Sequence, residues 1–180
     1  TGTAADLFYT AGTGSGSTGD TYSFGNSAST DRALGTLLSG TLQSTSGFYF
    51  SNATGNTITR LTVTYAGEQW RLGATGRNDR LDFQFSLNAG ALAAGDWVNV
   101  DQLDFIAPVS NSPTGALDGN NGNNRRLITY TITGIQIAPG STCFFRFLDA
   151  DATGSDDGLA IDDFSIEPGF TIPSALHYRS

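Results

Sequence analysis

The chain has 180 residues, with 38% hydrophobic residues, 11% aromatic residues and a net charge of −8. All nine basic residues are Arg, and the acidic balance excludes the cationic surface that binds nucleic acid phosphates or anionic lipid headgroups. We therefore expect no nucleic acid binding. No apolar run approaches the roughly 20 residues of a membrane-spanning helix, so we also expect no membrane insertion.

The first 20 residues are mostly Gly, Ser, Thr and Ala. This composition predicts an N-terminal arm over 1–20, with at most one short strand from Leu7 to Tyr9. From Tyr22 onward, short β runs alternate with Gly, Asn and Asp. The predicted strands are 48–52, 57–66, 80–88, 97–100, 127–137, 142–148 and 159–166. A turn of helix is expected at 34–38 or 87–94, because no segment sustains a helical period.

The strand pattern predicts an all-β fold of two packed antiparallel sheets. In 80–88, for example, Leu81, Phe83, Phe85 and Leu87 occupy alternate positions and so share one face. A jelly-roll sandwich is favoured over an immunoglobulin-like one, because the strand count is closer to ten than seven and no Cys…Trp…Cys pattern is present. We expect the jelly-roll domain over 21–167 and a C-terminal tail over 168–180.

An acidic segment at 149–163, D-A-D-A-T-G-S-D-D-G-L-A-I-D-D, is the strongest functional signal. Like charges this close repel each other unless a cation offsets them, and Ca²⁺ takes six to eight oxygen ligands from carboxylates and carbonyls. The segment lacks EF-hand spacing. A solvated acidic loop is the alternative. The predicted calcium ligands are Asp149, Asp151, Asp156, Asp157, Asp162 and Glu68. Asp163 competes with Asp162, because neighbours on a strand face opposite sides.

The ending Asp157-Gly158-Leu159-Ala160-Ile161-Asp162-Asp163 resembles the last core strand of MAM-type extracellular jelly rolls. The chain is also similar to a bacterial extracellular domain. This similarity rests on the ending together with four earlier stretches: Y-S-F-G at 22–25, D-R-A-L-G at 31–35, the G-E-Q-W-R of 67–71, and R-L-D-F at 80–83 followed by the stretch at 97–105. That domain is found beside secreted nucleases or phosphatases and PEP-CTERM-like sorting tails. The resemblance spans about 20–167 and implies a calcium-binding jelly roll that is secreted or held on the cell surface.

Catalysis is not expected. The chain has one His, at position 177, and one Cys, at position 143 within a β run. A Ser-His-Asp or Cys-His arrangement therefore lacks its parts. Two carboxylates across a cleft could in principle form a glycosidase, with Glu68 as one of them. Cys143 is expected to be a buried small hydrophobe, and the chain is expected not to be an enzyme.

Two features are candidates for ligand binding. Trp70 and Trp97 could stack on sugar rings, although core packing is the alternative. The loop at 116–126, A-L-D-G-N-N-G-N-N-R-R, is too polar for a core and offers amides and cations for recognition, although a hairpin connection is the alternative. The candidates in this loop are Asn120, Asn121, Asn123 and Arg125.

Two functions remain open. The first is a non-catalytic extracellular module, stabilised by calcium, for adhesion or for binding polysaccharide or a surface protein. The second is a self-assembling subunit of a fibre, surface layer or matrix, which would make the chain a homo-oligomer or polymer. The Thr- and Gly-rich strands, the absence of Lys and the short N-terminal arm motivate the second function.

Overall fold

The computed structural model describes residues 8–40 and 43–171. This part of the chain forms a two-sheet β sandwich, which confirms the predicted all-β class. Strands β1 to β6 are Thr10–Gly12, Asp20–Phe24, Ala33–Leu37, Thr45–Ser51, Ile58–Leu72 and Arg80–Ser86. Strands β7 to β12 are Val98–Asn99, Phe105–Ile106, Gly115–Ala116, Arg125–Ile137, Thr142–Asp149 and Gly158–Phe170.

The larger sheet has seven strands in the order β1-β2-β3-β12-β5-β10, with β9 paired to one end of β5. The smaller sheet has five strands in the order β4-β11-β6-β7, with β8 also paired to β6. All the strand pairs are antiparallel except β1 with β2. The last long strand, β12, therefore lies in the middle of the larger sheet, where it joins β3 to β5.

The core forms where alternating side chains of the two sheets meet. Leu61, Val63 and Tyr65 of β5 face Phe145 and Phe147 of β11, and all are almost completely buried. The ring of Tyr65 meets that of Phe147 edge-on at 5.1 Å. A buried aromatic side chain contributes roughly 1.5–3 kcal/mol through apolar area alone, so this layer holds the sheets together.

A second, smaller core lies on the outer side of the larger sheet. Tyr22, Phe24 and Trp70 stack in a row, with ring centroids 4.9 and 6.0 Å apart. Gly119 lies against the Trp70 ring so closely that a Cβ there would be 2.3 Å from it. This packing explains why the far end of β5 is buried on both faces.

The described residues contain one short 3-10 helix, Asp101–Leu103, and no α-helix. The helix expected at 34–38 is wrong, because that segment is β3. Gly35 of β3 lies so close to β12 that a Cβ would be 2.5 Å from the Leu159 carbonyl oxygen. The segment at 87–94 forms turns and bends rather than helix.

The segment boundaries also differ in detail from the predicted ones. β12 continues to Phe170, three residues past the expected end of the domain at 167. Phe8 and Tyr9 precede β1 rather than forming a strand, and Leu7 lies outside the described residues, as does most of the predicted tail. None of the described helices is long and apolar enough to cross a membrane.

Candidate functional site

Four aspartates meet at one end of the sandwich, and we call them the inner acidic cluster: Asp79, Asp149, Asp156 and Asp157. Asp149 ends β11, the next two precede β12, and Asp79 precedes β6. Their exposed fractions are 0% for Asp149 and Asp157, 1% for Asp79 and 7% for Asp156. Buried carboxylates are costly unless they are paired or bound to a cation, so each oxygen needs a partner.

Two of the four carboxylates, those of Asp157 and Asp79, have a protein partner for both oxygens, and Asp156 Oδ1 accepts a hydrogen bond from the Ala152 amide at 3.0 Å. Asp157 accepts hydrogen bonds from the Gly73 amide at 2.7 Å and from the Gln69 side chain at 2.8 Å. The backbone N–H of Asp157 donates to Asp79 at 2.8 Å, and the Arg80 amide donates to Asp79 at 2.9 Å. These bonds lock the start of β12 to the start of β6.

Arg77 supplies positive charge to two members of the inner acidic cluster. Its Nη1 lies 3.3 Å from Asp79 Oδ2 and 3.9 Å from Asp157 Oδ1. The same guanidinium donates to the carbonyls of Thr153, at 2.8 Å, and Ser155. Arg77 therefore offsets two carboxylates and fixes the loop between β11 and β12.

Asp149 is left incompletely satisfied. Its Oδ2 accepts a hydrogen bond of 2.5 Å from Thr36 Oγ1. Its Oδ1 is buried and has no hydrogen-bond partner. Burial, with Asp79 and Asp156 nearby, raises the pKa of Asp149 to about 7. An unpartnered buried carboxylate oxygen costs about 1–3 kcal/mol or more, which a bound cation would offset.

A polar cavity of about 190 Å³ borders the cluster at Asp156. The end of β3 and the residues after it, 37–40, form one wall, and Gly154 and Ser155 form another. No three Asp, Glu, His or Cys side chains in the described part of the chain converge into a complete metal site. A cation beside Asp149 would therefore take further ligands from backbone carbonyls and water, as Ca²⁺ often does.

The structure divides the predicted calcium ligands into two places. Asp149, Asp156 and Asp157 meet in the inner acidic cluster, whereas Asp151 is exposed on the adjoining loop. Asp151 still lies near enough for its charge to raise the pKa of Asp156, behind the larger effects of burial and Asp79.

Glu68 and Asp162 are not part of the inner acidic cluster, which corrects their assignment to the same site. Alternation along β5 explains the separation, because Gln69 contacts Asp157 while Glu68 contacts Trp70 on the other face.

Glu68 belongs to an outer acidic cluster, made of Glu68, Asp31, Asp162 and Asp163 around Arg125. The Trp70 indole donates to Glu68 at 2.9 Å, and Arg125 Nε lies 3.3 Å from the other Glu68 oxygen. Arg125 also contacts Asp163 at 2.5 Å. Burial raises the pKa of Glu68 to about 7; the Trp70 hydrogen bond opposes the shift, and Asp162 adds to it. Arg125 already supplies the positive charge that offsets the carboxylates of this outer cluster.

The two predicted tryptophans have different environments. Trp70 is 1% exposed, so its ring offers no face to a sugar, which corrects that expectation. Trp97 is half-buried, with the Arg146 guanidinium 4.0 Å from its ring centroid and its indole N–H donating to the Ala94 carbonyl. Trp97 therefore remains a surface candidate.

Trp97 extends a surface strip on the smaller sheet that the sequence did not single out. Tyr49, 63% exposed, stacks on Phe144 of the neighbouring strand with ring centroids 4.9 Å apart. Arg146 lies two residues along β11 and donates to Gln84 at 2.6 Å. The sequence did carry a signal for this strip, since Tyr49 and Phe144 each occupy an outward position of an alternating strand. Which of these outward side chains stays exposed, however, depends on how the sheets pack.

The polar loop at 116–126 is largely engaged in its own structure. Asn120 donates to Asp31 at 3.0 Å, and the Asn121 side chain accepts from the Asn123 amide at 3.0 Å. Asn121 and Asn123 are exposed, whereas Arg125 is held by the outer acidic cluster. The loop thus covers Trp70 while presenting two of the predicted asparagines to solvent.

Sequence reasoning did not identify Asp79 and Arg77. The tetrapeptide Arg77-Asn78-Asp79-Arg80, directly before a predicted strand, was the available signal.

Cys143 is fully buried, and burial raises its pKa to about 12, so its thiol is un-ionised near neutral pH. His177 lies outside the described residues.

No protein family matches the chain, and no curated protein sequence matches it either.

Proposed function

We propose that this chain is an extracellular, calcium-stabilised module without catalytic activity that binds a carbohydrate or another surface ligand. The observation that carries the calcium proposal is the buried, unpartnered Oδ1 of Asp149 among four aspartates. Arg77 offsets the other side of the cluster, at Asp79 and Asp157. A hard, oxygen-binding cation suits the remaining side.

Asp149 and Asp156 would hold the ion, with backbone carbonyls beside the polar cavity. The bound charge would reduce the repulsion among the aspartates and tie the loop after β11 to the end of β3. An ion present at 100 times its dissociation constant stabilises the folded state by about 2.7 kcal/mol. For a domain of this size, that corresponds to a rise in Tm of about 5–11 °C.

Thermal unfolding in EDTA, Ca²⁺ and Mg²⁺ tests the calcium site. We expect Ca²⁺ to raise the Tm of the natural protein and Asp149→Asn to remove most of that rise. Asp101→Asn is the matched control, because Asp101 is exposed and outside the cluster. An unchanged Tm in Ca²⁺, or an equal loss in both variants, would refute the site.

The surface strip of Tyr49, Phe144, Trp97 and Arg146 supports the ligand-binding part of the proposal. Exposed aromatic faces stack on the apolar faces of sugar rings, and neighbouring amide and guanidinium groups can bond to hydroxyls. Gln84 and Asn99, joined by a 2.5 Å hydrogen bond, provide amides beside the strip.

A glycan array followed by titration calorimetry tests the strip. We expect a polysaccharide ligand whose affinity falls at least tenfold in Tyr49→Ala or Trp97→Ala. Tyr9→Ala is the control, since Tyr9 is 60% exposed and outside the strip. Silence across neutral and acidic glycans would count against carbohydrate, and equal losses in all three variants would count against the strip.

The absence of catalysis stays part of the proposal. The described carboxylates with raised pKa are mainly buried and bonded to protein groups, and the single thiol is buried. The second proposed role, a self-assembling structural subunit, is favoured by one further observation: within residues 8–40 and 43–171, the long strand β10 pairs with another strand on one edge only.

A further inference from the structure

The last strand of the larger sheet, β10, has an unusually long open edge. It spans 13 residues, and β5 is its only strand partner in residues 8–40 and 43–171. The other outer strands are shorter, with three residues in β1, two in β7 and seven in β4. Edges are normally protected by brevity, Pro or charge, but β10 contains no Pro, and its only charges are Arg125 and Arg126.

The hydrogen-bond pattern identifies the backbone groups on that edge. The Asn124 carbonyl accepts from the Gln69 amide of β5 at 2.9 Å. In an antiparallel pair, alternate residues direct both backbone groups to the same neighbour. Even-numbered residues of β10 therefore bond to β5, while Leu127, Thr129, Thr131 and Thr133 direct their N–H and C=O groups outward.

The regular part of this edge has a defined length. The pairing with β5 is continuous from Arg125 to Thr133 and then shifts register. Gly134 follows with a φ of +73°, which bends the strand. An incoming strand can therefore pair with 125–133, and Thr129 is the midpoint of that segment.

We propose that the edge of β10 binds a second copy of this chain through antiparallel pairing of the two β10 strands, with the twofold axis at Thr129. Thr129 then lies opposite its own copy, Leu127 opposite Thr131, and Arg125 opposite Thr133. Each outward N–H meets an outward C=O, because a twofold pairing repeats one pattern on both sides. The two larger sheets become one continuous sheet.

The side chains of β10 are compatible with this register. Thr129 and Thr131 already bond to Thr64 and Thr62 through their hydroxyls, at 3.0 and 2.9 Å. The pairing extends this row of threonines across the axis, and Thr–Thr pairs favour neighbouring strands. It also covers Leu127, which is 74% exposed.

The paired register keeps the charges of the two β10 strands apart, which suits a second copy as the occupant. Arg126 of one copy falls opposite Ile132 of the other, two residues from Gly134. The two copies of Arg125 are eight strand positions apart, about 27 Å, so they do not repel each other closely.

Sedimentation equilibrium of the whole chain in EDTA tests the pairing separately from calcium binding. We expect a concentration-dependent dimer whose dissociation constant rises by on the order of tenfold or more in Thr129→Lys, which places two cations opposite each other. Ser165→Lys is the control, because Ser165 is exposed on the same sheet but lies on the central strand β12. A strict monomer, or equal weakening in both variants, overturns the proposal.

Cysteine cross-linking tests the register. Strand neighbours on the axis have Cα atoms about 5.5 Å apart, within the range of a disulfide. We therefore expect Thr129→Cys to form a covalent dimer on mild oxidation, whereas Thr131→Cys, offset from the axis, does not. The natural Cys143 is buried and does not compete. Cross-linking of Thr131→Cys alone, or of neither variant, overturns the proposed pairing.

Discussion

Glu68→Gln isolates the cost of a buried carboxylate in the outer acidic cluster. Glu68 is 0% exposed, and its folded-state pKa is raised from 4.5 to about 7, mainly by burial. The folded protein therefore holds this proton more tightly than the unfolded chain does. Stability from this group is complete below pH 4.5 and is lost as the pH rises toward 7.

The size of the effect follows from the pKa difference. Each pKa unit corresponds to about 1.4 kcal/mol, so ionisation of Glu68 lowers the free energy of unfolding by up to about 3 kcal/mol between pH 4.5 and 8. Glutamine retains an oxygen that can accept the Trp70 hydrogen bond but does not titrate. The difference in unfolding free energy between Glu68→Gln and the natural protein should therefore grow by up to that amount across this range.

Urea unfolding at several pH values, in EDTA so that no calcium contributes, measures this difference. Other buried carboxylates contribute equally to both proteins, so only the difference between the two curves is used. Glu167→Gln is the control, because Glu167 is exposed. Parallel curves for Glu68→Gln and the natural protein would refute the account of Glu68.

Two further substitutions test the packing around the sites by urea unfolding. Arg77→Ala should cost about 3–5 kcal/mol, because it leaves two buried aspartates without their cation, whereas Arg80→Ala, which breaks an exposed ion pair, should cost at most about 1 kcal/mol. Similar small losses would mean that Arg77 does not hold the inner cluster. Gly119→Ala should cost about 1–3 kcal/mol, since its Cβ would be 2.3 Å from the buried indole, and Gly122→Ala, with open space around it, should cost much less. Equal costs at the two glycines would contradict the close packing.

The two acidic clusters differ in how their charge is offset. The outer cluster surrounds Arg125, which contacts both Glu68 and Asp163. In the inner cluster Arg77 reaches Asp79 and Asp157 but makes no ion pair with Asp149. This asymmetry is why the calcium proposal rests on Asp149 rather than on the number of acidic residues.

Local alternation was sufficient to predict the sandwich. The segment at 57–66 places Leu61, Val63 and Tyr65 on one side, and the structure buries that side between the sheets. The same rule failed for Ala33–Leu37, because this strand is covered on both faces and carries Gly35 where β12 approaches closely. Period-two patterning disappears when both faces are buried.

The sequence by itself determined the β class, the separation of strands by turns and the concentration of acid at 149–163, because these depend on neighbours along the chain. Only the tertiary structure brought Asp79 to Asp149, which is 70 positions away, and directed Glu68 to the opposite face from Gln69. It also decided that Trp70 is covered while Tyr49 is exposed. These properties depend on which strands pair and what covers each face, and many long-range contacts fix them together.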